Sequence, residues 1–166
     1  MVLAVSFLVW SLAVAVQASS TSSFSKSCLA ADGQFYGVDK VGFYCLTKNV
    51  DQFEYKYSLI DLRHCLANNV GALVGYKDGD YHKSCEKCQL KSAMDTDGSD
   101  MGTCHLSCDC YDMDGEKHST DFDLGDVLEN VDGRLACYGY GGTREQMPPE
   151  CHHNPECEKG EPRLSP

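Results

Sequence analysis

Laid over itself, the sequence repeats. The stretch SLIDLRHCLANNVGALVGY at residues 58–76 returns as DFDLGDVLENVDGRLACY at residues 121–138. At an offset of 62, Asp61, Leu62, Leu66, Asn68, Gly71 and Leu73 each meet the same residue type. Upstream, Phe24-Ser25-Lys26-Ser27-Cys28 answers to Tyr81-His82-Lys83-Ser84-Cys85, here at an offset of 57. The difference places the second copy's additional residues in the Asp- and Gly-rich turn at 94–102. Repeats at 24–76 and 81–138 are too short to bury a core singly, so the pair is expected to form one domain over 19–138. One aligned column differs in kind: the second copy has Val131-Asp132 where the first has Asn69-Val70.

Cysteine is the second constraint. All eleven cysteines follow residue 18. The first 18 residues, MVLAVSFLVWSLAVAVQA, carry no charge and end in a small-x-small pattern, which reads as a signal peptide. They are shorter than the about 20 apolar residues of a good membrane span, so no membrane insertion is expected. An exported chain this rich in cysteine is expected to be disulfide-bonded, extracellular and left with an odd thiol. Zinc is the competing reading of Cys85-x-x-Cys88 and Cys108-x-Cys110. The net charge of −11 argues against nucleic acid as a partner.

The local pattern is mainly β. Residues 33–38, 41–45 and 53–57 are aromatic and β-branched with partial alternation. Leu62 to Leu66 and Leu124 to Leu128 fit single helical turns capped by Asp61 and Asp123. Gly71 and Gly133 then suit tight hairpins that need positive φ. Residues 139–166, rich in Gly, Pro and charge, read as an irregular tail, with His152 and His153 in a solvated loop. Asp95-x-Asp97-Gly98-x-Asp100 and Asp112-x-Asp114-Gly115 lack the spacing of a calcium loop and read as turns. No cofactor and no metal site is expected.

These motifs together resemble the cyanovirin-N homology family of secreted sugar-binding proteins. The match rests on Phe24-Ser25-x-Ser27-Cys28, Cys45, Ile60-Asp61-Leu62, Asn68-x-x-Gly71-x-Leu73, Lys83-Ser84-Cys85, Cys110 and Asp123-Leu124, together with the run Glu129-Asn130-Val131-Asp132-Gly133-x-Leu135. The resemblance implies an all-β, pseudo-symmetric two-repeat fold with exchanged hairpins, short helical turns and many disulfides. It pairs Cys28 with Cys45 and Cys85 with Cys110. On that fold Cys88 and Cys108 sit close enough across a hairpin to bridge, and Cys65 and Cys137 fall in the same half. Cys151 and Cys157 would close the tail, leaving Cys104, placed in the inserted loop, as the odd thiol.

The resemblance also implies two carbohydrate sites. The first would comprise Ser23, Lys26, Ser27, Thr47, Lys48, Asn130, Val131 and Asp132. A weaker second site would comprise Asn68, Lys83, Ser84, Tyr111, Asp112 and Met113. Amides and carboxylates on rigid turns suit vicinal hydroxyls, which both donate and accept. Taken alone, Asx-Gly is turn chemistry first. Val70 and Ala67 remove two acceptors from the second site.

The expected function is thus a secreted, non-catalytic lectin for mannose-type or related glycans, with oligosaccharides and glycoproteins as partners. The alternative is a disulfide-stapled scaffold that binds a protein or cell-wall surface. No nucleophile elbow or phosphate loop is present, and Asp121 and Asp123 are the acidic pair that invites a glycosidase reading. The linker Gly75 to Asp80, read as flexible and without proline, allows a monomer or a domain-swapped dimer.

Overall fold

The computed structural model describes residues 23–48, 54–93 and 102–145. The signal segment, the turn at 94–101, the histidine pair and the expected Cys151–Cys157 bridge lie outside the described residues.

The first repeat opens with β1 (Gln34–Tyr36), β2 (Lys40–Leu46) and β3 (Tyr55–Asp61), which pair antiparallel in that order. Asp61 then caps a 3-10 turn at Leu62–His64, its carboxylate accepting from Arg63 N at 3.0 Å. The hairpin β4 (Leu66–Asn69) and β5 (Ala72–Gly75) follows. The second repeat matches this order. It has a 3-10 turn at Tyr81–Lys83, then a sheet of β6 (Cys85–Ala93), β7 (Thr103–Tyr111) and β8 (Lys117–Asp123). Asp123 caps the 3-10 turn Leu124–Asp126 by accepting from Gly125 N at 2.8 Å. The hairpin β9 (Glu129–Asn130) and β10 (Leu135–Cys137) closes the duplication.

The hairpins are exchanged. The β4–β5 hairpin packs on β8 and β7 of the second repeat, while β10 packs on β3 of the first. Sequence identity between the copies marks the residues that make this possible. Leu62 and Leu124, Leu66 and Leu128, Leu73 and Leu135, and Phe24 and Tyr81 are all buried in one continuous core. Each such side chain contributes about 1.5–3 kcal/mol through removal from water, and the exchange lets two short repeats share that burial.

Among the described residues four disulfides are present: Cys28–Cys45, Cys85–Cys110, Cys88–Cys108 and Cys65–Cys137. Their formation removes the thiolates that a zinc site would need. On β7, Cys104, Leu106, Cys108 and Cys110 alternate inward. A register shift between Glu86 and Gln89, with Lys87 at φ 52°, brings Cys88 opposite Cys108. Cys104 is the unpaired cysteine among the described residues. It sits on the strand and not in the inserted loop, and burial pushes its thiol up to about 11.

Two expectations are corrected. Residues after 138 are not uniformly irregular: β11 (Tyr140–Gly141) pairs with β10, and β12 (Thr143–Arg144) adds a fourth strand beside β3. The linker is not loose either. Backbone N–H groups of Tyr76, Asp78 and Asp80 donate to the carbonyls of Cys65, His64 and Arg63 at 3.0–3.1 Å, and His64 bonds Asp78 at 2.6 Å.

Candidate functional site

Both hairpins turn on two residues with positive φ. In the second these are Asp132 at 55° and Gly133 at 74°; in the first, Val70 at 51° and Gly71 at 86°. A two-residue hairpin of this kind matches the right-handed strand twist and favours Asn or Asp followed by Gly. Asp132 suits it. Val70 does not, because a β-branched side chain in the left-handed region is strained. Its side chain is also 60% exposed, so no packing offsets the strain.

Behind each turn lies the same latch. The Asn130 amide donates to Ser27 Oγ and to the Leu46 carbonyl, both at 2.9 Å, and its oxygen accepts from Gly133 N at 2.8 Å. The Asn68 amide donates to Ser84 Oγ at 2.8 Å and the Tyr111 carbonyl at 2.7 Å, and its oxygen accepts from Gly71 N at 2.9 Å. A fourth bond is duplicated too: Leu135 N to Ser58 Oγ at 2.9 Å and Leu73 N to Thr120 Oγ1 at 3.1 Å. Each asparagine therefore fixes its hairpin to the other repeat's sheet, and neither amide keeps a donor for a ligand.

At the first site the latch leaves Val131 and Asp132 exposed at the tip. Ser23 Oγ accepts from Asn130 N at 3.1 Å, while Ser27 donates to the Ser23 carbonyl. Lys48 N donates to Asp132 Oδ1 at 2.8 Å, tying the tip to the segment after Cys45. Arg144, on β12, donates to the Asp132 carbonyl and faces Oδ2 at 3.3 Å. The Lys48 N–H and then Arg144 hold the Asp132 carboxyl below the usual carboxylate range. Thr47 N donates to the Glu54 carbonyl, and its buried hydroxyl has no partner among the described residues. Lys26 is exposed beside Ser27.

The second site assembles its six residues differently. Asp112 Oδ1 accepts from Asp114 N and Glu116 N at 2.9 Å, and Oδ2 meets His118 Nε2 at 2.7 Å. The His118 bond, reinforced by those two N–H groups, holds the Asp112 carboxyl below its ordinary value. Its oxygens serve the turn. Lys83 pairs with Asp80 at 2.6 Å, Ser84 accepts from Asn68, and Lys117 lies 5.2 Å from the Tyr111 ring centroid. Met113 is 88% exposed and Val70 stands where Asp132 does in the other copy, so these two positions are apolar where the first site is charged.

The acidic pair is engaged as well. Asp123 caps its 3-10 turn, and Asp121 bonds Ser107 and, at 2.7 Å, His105. No group of three or more His, Cys, Asp or Glu among the described residues could hold a metal.

Sequence reasoning missed Ser58, Thr120 and Arg144. The first two carried a signal, since both are hydroxyls aligned at the repeat offset. Arg144 carried none, because only the pairing of β12 with β3 brings it to the hairpin.

A family model described as the CVNH domain matches residues 24–136. No match was found among curated proteins. Among solved structures, the NMR structure of the CVNH protein of Gibberella zeae is similar at 18% identity with a TM-score of 0.57, covering 69% of this chain and 95% of that one. Microvirin in complex with mannobiose is similar at 25% identity and TM-score 0.52, covering 70% and 98%. A MoCVNH3 variant in complex with (N-GlcNAc)4 is similar at 15% and 0.52, covering 70% and 97%. With the duplicated latch, the exchanged hairpins and a family match across the whole repeat, the chain belongs to the CVNH-domain family.

Proposed function

We propose that this protein is a secreted, non-catalytic lectin that binds mannose-type or related glycans through its first site. The observation that carries the reading is the fixed hairpin tip, where exposed Asp132 is tied to Lys48 N and its turn is set by Asn130, which in turn meets Ser23 and Ser27. Such a preorganised turn can meet vicinal hydroxyls without ordering itself on binding. Family membership supports a sugar ligand, and microvirin, 25% identical, has been solved with mannobiose. Oligosaccharides and glycoproteins are the proposed partners, met by a monomer or a domain-swapped dimer. One competent site per chain would make strong surface binding depend on dimers or clustered glycans.

A glycan array probed with the protein purified from the medium of expressing cells tests this. Binding to mannose-containing oligosaccharides, by a chain beginning near Ser19, is expected. Absence of binding to any oligosaccharide would overturn the lectin reading. It would favour a stapled scaffold for a protein or cell-wall surface, a role for which the exposed Val70 and Met113 are the supporting feature.

A further inference from the structure

The internal duplication supplies its own control for the charge at the first site. Cys45 pairs with Lys56 in one sheet, and Cys110 pairs with His118 in the other, so Lys56 and His118 occupy matching positions. Counting from the same landmarks, Lys48 matches Met113, Arg134 matches Ala72, and Lys26 matches Lys83. Arg144, brought in by β12, has no counterpart. The first site thus gathers Lys26, Lys48, Lys56, Arg134 and Arg144. At matching positions the second keeps one lysine, and Asp80 pairs with it at 2.6 Å. This concentration of cations occurs in a chain whose net charge is −11.

Several acids near these cations are already engaged. Glu54 pairs with Lys56, Glu145 accepts from Thr143 Oγ1 at 2.9 Å, and Asp132 is held by Lys48 N and Arg144. Glu129, next to Asn130, remains without an ion pair among the described residues. Lys26, Lys48 and Arg134 likewise have no ion pair among the described residues, and all three are exposed. Among the described residues, a ligand arriving at this hairpin therefore meets more positive donors than open acceptors. Guanidinium and ammonium groups with that freedom suit carboxylate, phosphate or sulfate oxygens.

We propose that the first site takes a glycan bearing an anionic group, a phosphate or uronate carboxylate, beside the hydroxyls that Asp132 and Ser23 meet. This rests on the lectin reading above and specifies its ligand class. The anionic group lies against Arg144 and Lys48, with Lys26 and Arg134 on the flanks. Attraction between exposed charges is screened over about 8–10 Å at physiological salt, so the preference is salt-dependent. The second site, with Val70 and Met113 at the matching positions, has no such preference.

Calorimetry of the full chain against three probes at low and high salt tests this: mannobiose, mannobiose 6-phosphate and a galacturonic acid trimer. The expected result is at least tenfold tighter binding of one acidic probe than of mannobiose, shrinking severalfold in 0.5 M salt. Phosphate over uronate, or the reverse, identifies the source of the anion. R144Q should cut the acidic preference to about threefold or less, while K91Q, the same charge change on β6, should leave it intact. Circular dichroism confirms that each variant is folded. Mannobiose bound as well as or better than both acidic probes would overturn this inference and leave the lectin reading standing. No binding of any probe, together with a silent glycan array, would overturn both. Equal competition by inorganic phosphate alone, or a preference untouched by R144Q, would also overturn it.

Discussion

The two hairpins of this protein are held by the same four hydrogen bonds and present different chemistry. Asn130 and Asn68 make matching contacts, yet one latch carries Asp132 and Lys48 and the other Val70 and Met113. The latch satisfies buried polar groups between the repeats, so both copies need it to fold. The tip faces solvent, so its chemistry can diverge without unfolding the domain. Duplication here preserved the scaffold twice and the charged surface once.

The comparison can be broken at the staple that only one half possesses. Replacing Cys88 and Cys108 together by alanine, which opens a sequence separation of 20, should destabilise the protein by about 3 kcal/mol in chemical denaturation. Hydrogen exchange should quicken first in β6 and β7 while the first site keeps its ligand. Equal quickening in β2 and β3 would mean that the halves do not differ in how they are held.

Asn130→Ala and Asn68→Ala are the next test. Each removes three hydrogen bonds worth about 1 kcal/mol apiece, so losses of roughly 2–3 kcal/mol are expected for both by urea denaturation. Binding should fall only for Asn130→Ala. Unequal stability losses would break the equivalence of the latches.

At the tips the effects separate. Asp132→Ala should weaken glycan binding by about 1.5–3 kcal/mol, tenfold or more by calorimetry. Val70→Asn should instead raise stability by about 1 kcal/mol, because Asn tolerates the left-handed conformation that Val resists. A destabilised Val70→Asn protein would mean that a packing contact of the valine outweighs the backbone strain.

The smallest effect is with pH. The Asp132 carboxyl titrates below its ordinary value, so its bond to Lys48 N exists above that range and is lost as pH falls through the lowered value. Binding of neutral mannobiose should be level from pH 8 to 5 and decline only below about 4. A decline near pH 6 would assign control to another group.

Much of this architecture was legible in the sequence, because the constraint was written twice. The leucines at matching positions, the capping aspartates and the asparagine–glycine spacing each have one dominant cause: burial, an N-cap, a turn. The structural role of Asn130 was hidden for an equally physical reason. An amide on a turn is suited to a sugar hydroxyl and to a backbone carbonyl alike, and only the exchanged packing shows that Leu46 and Ser27 take its donors. Arg144 was invisible because short strands such as β12 carry almost no pattern, and their pairing is decided by the edge they find.

The placement of β12 has a practical consequence for any device built on this protein. Ser23 bonds Asn130, and Glu145 N donates to the Tyr57 carbonyl one strand away from the hairpin that Arg144 touches. The described chain therefore enters and leaves beside the first site, whereas the second is made wholly of interior segments. A tag joined directly at Ser23 or at Glu145 would crowd the first site against the support and turn Val70 and Met113 outward. A sensor surface meant to report on the charged hairpin is better coupled through a lysine of the second sheet, such as Lys91, than at either of those two positions.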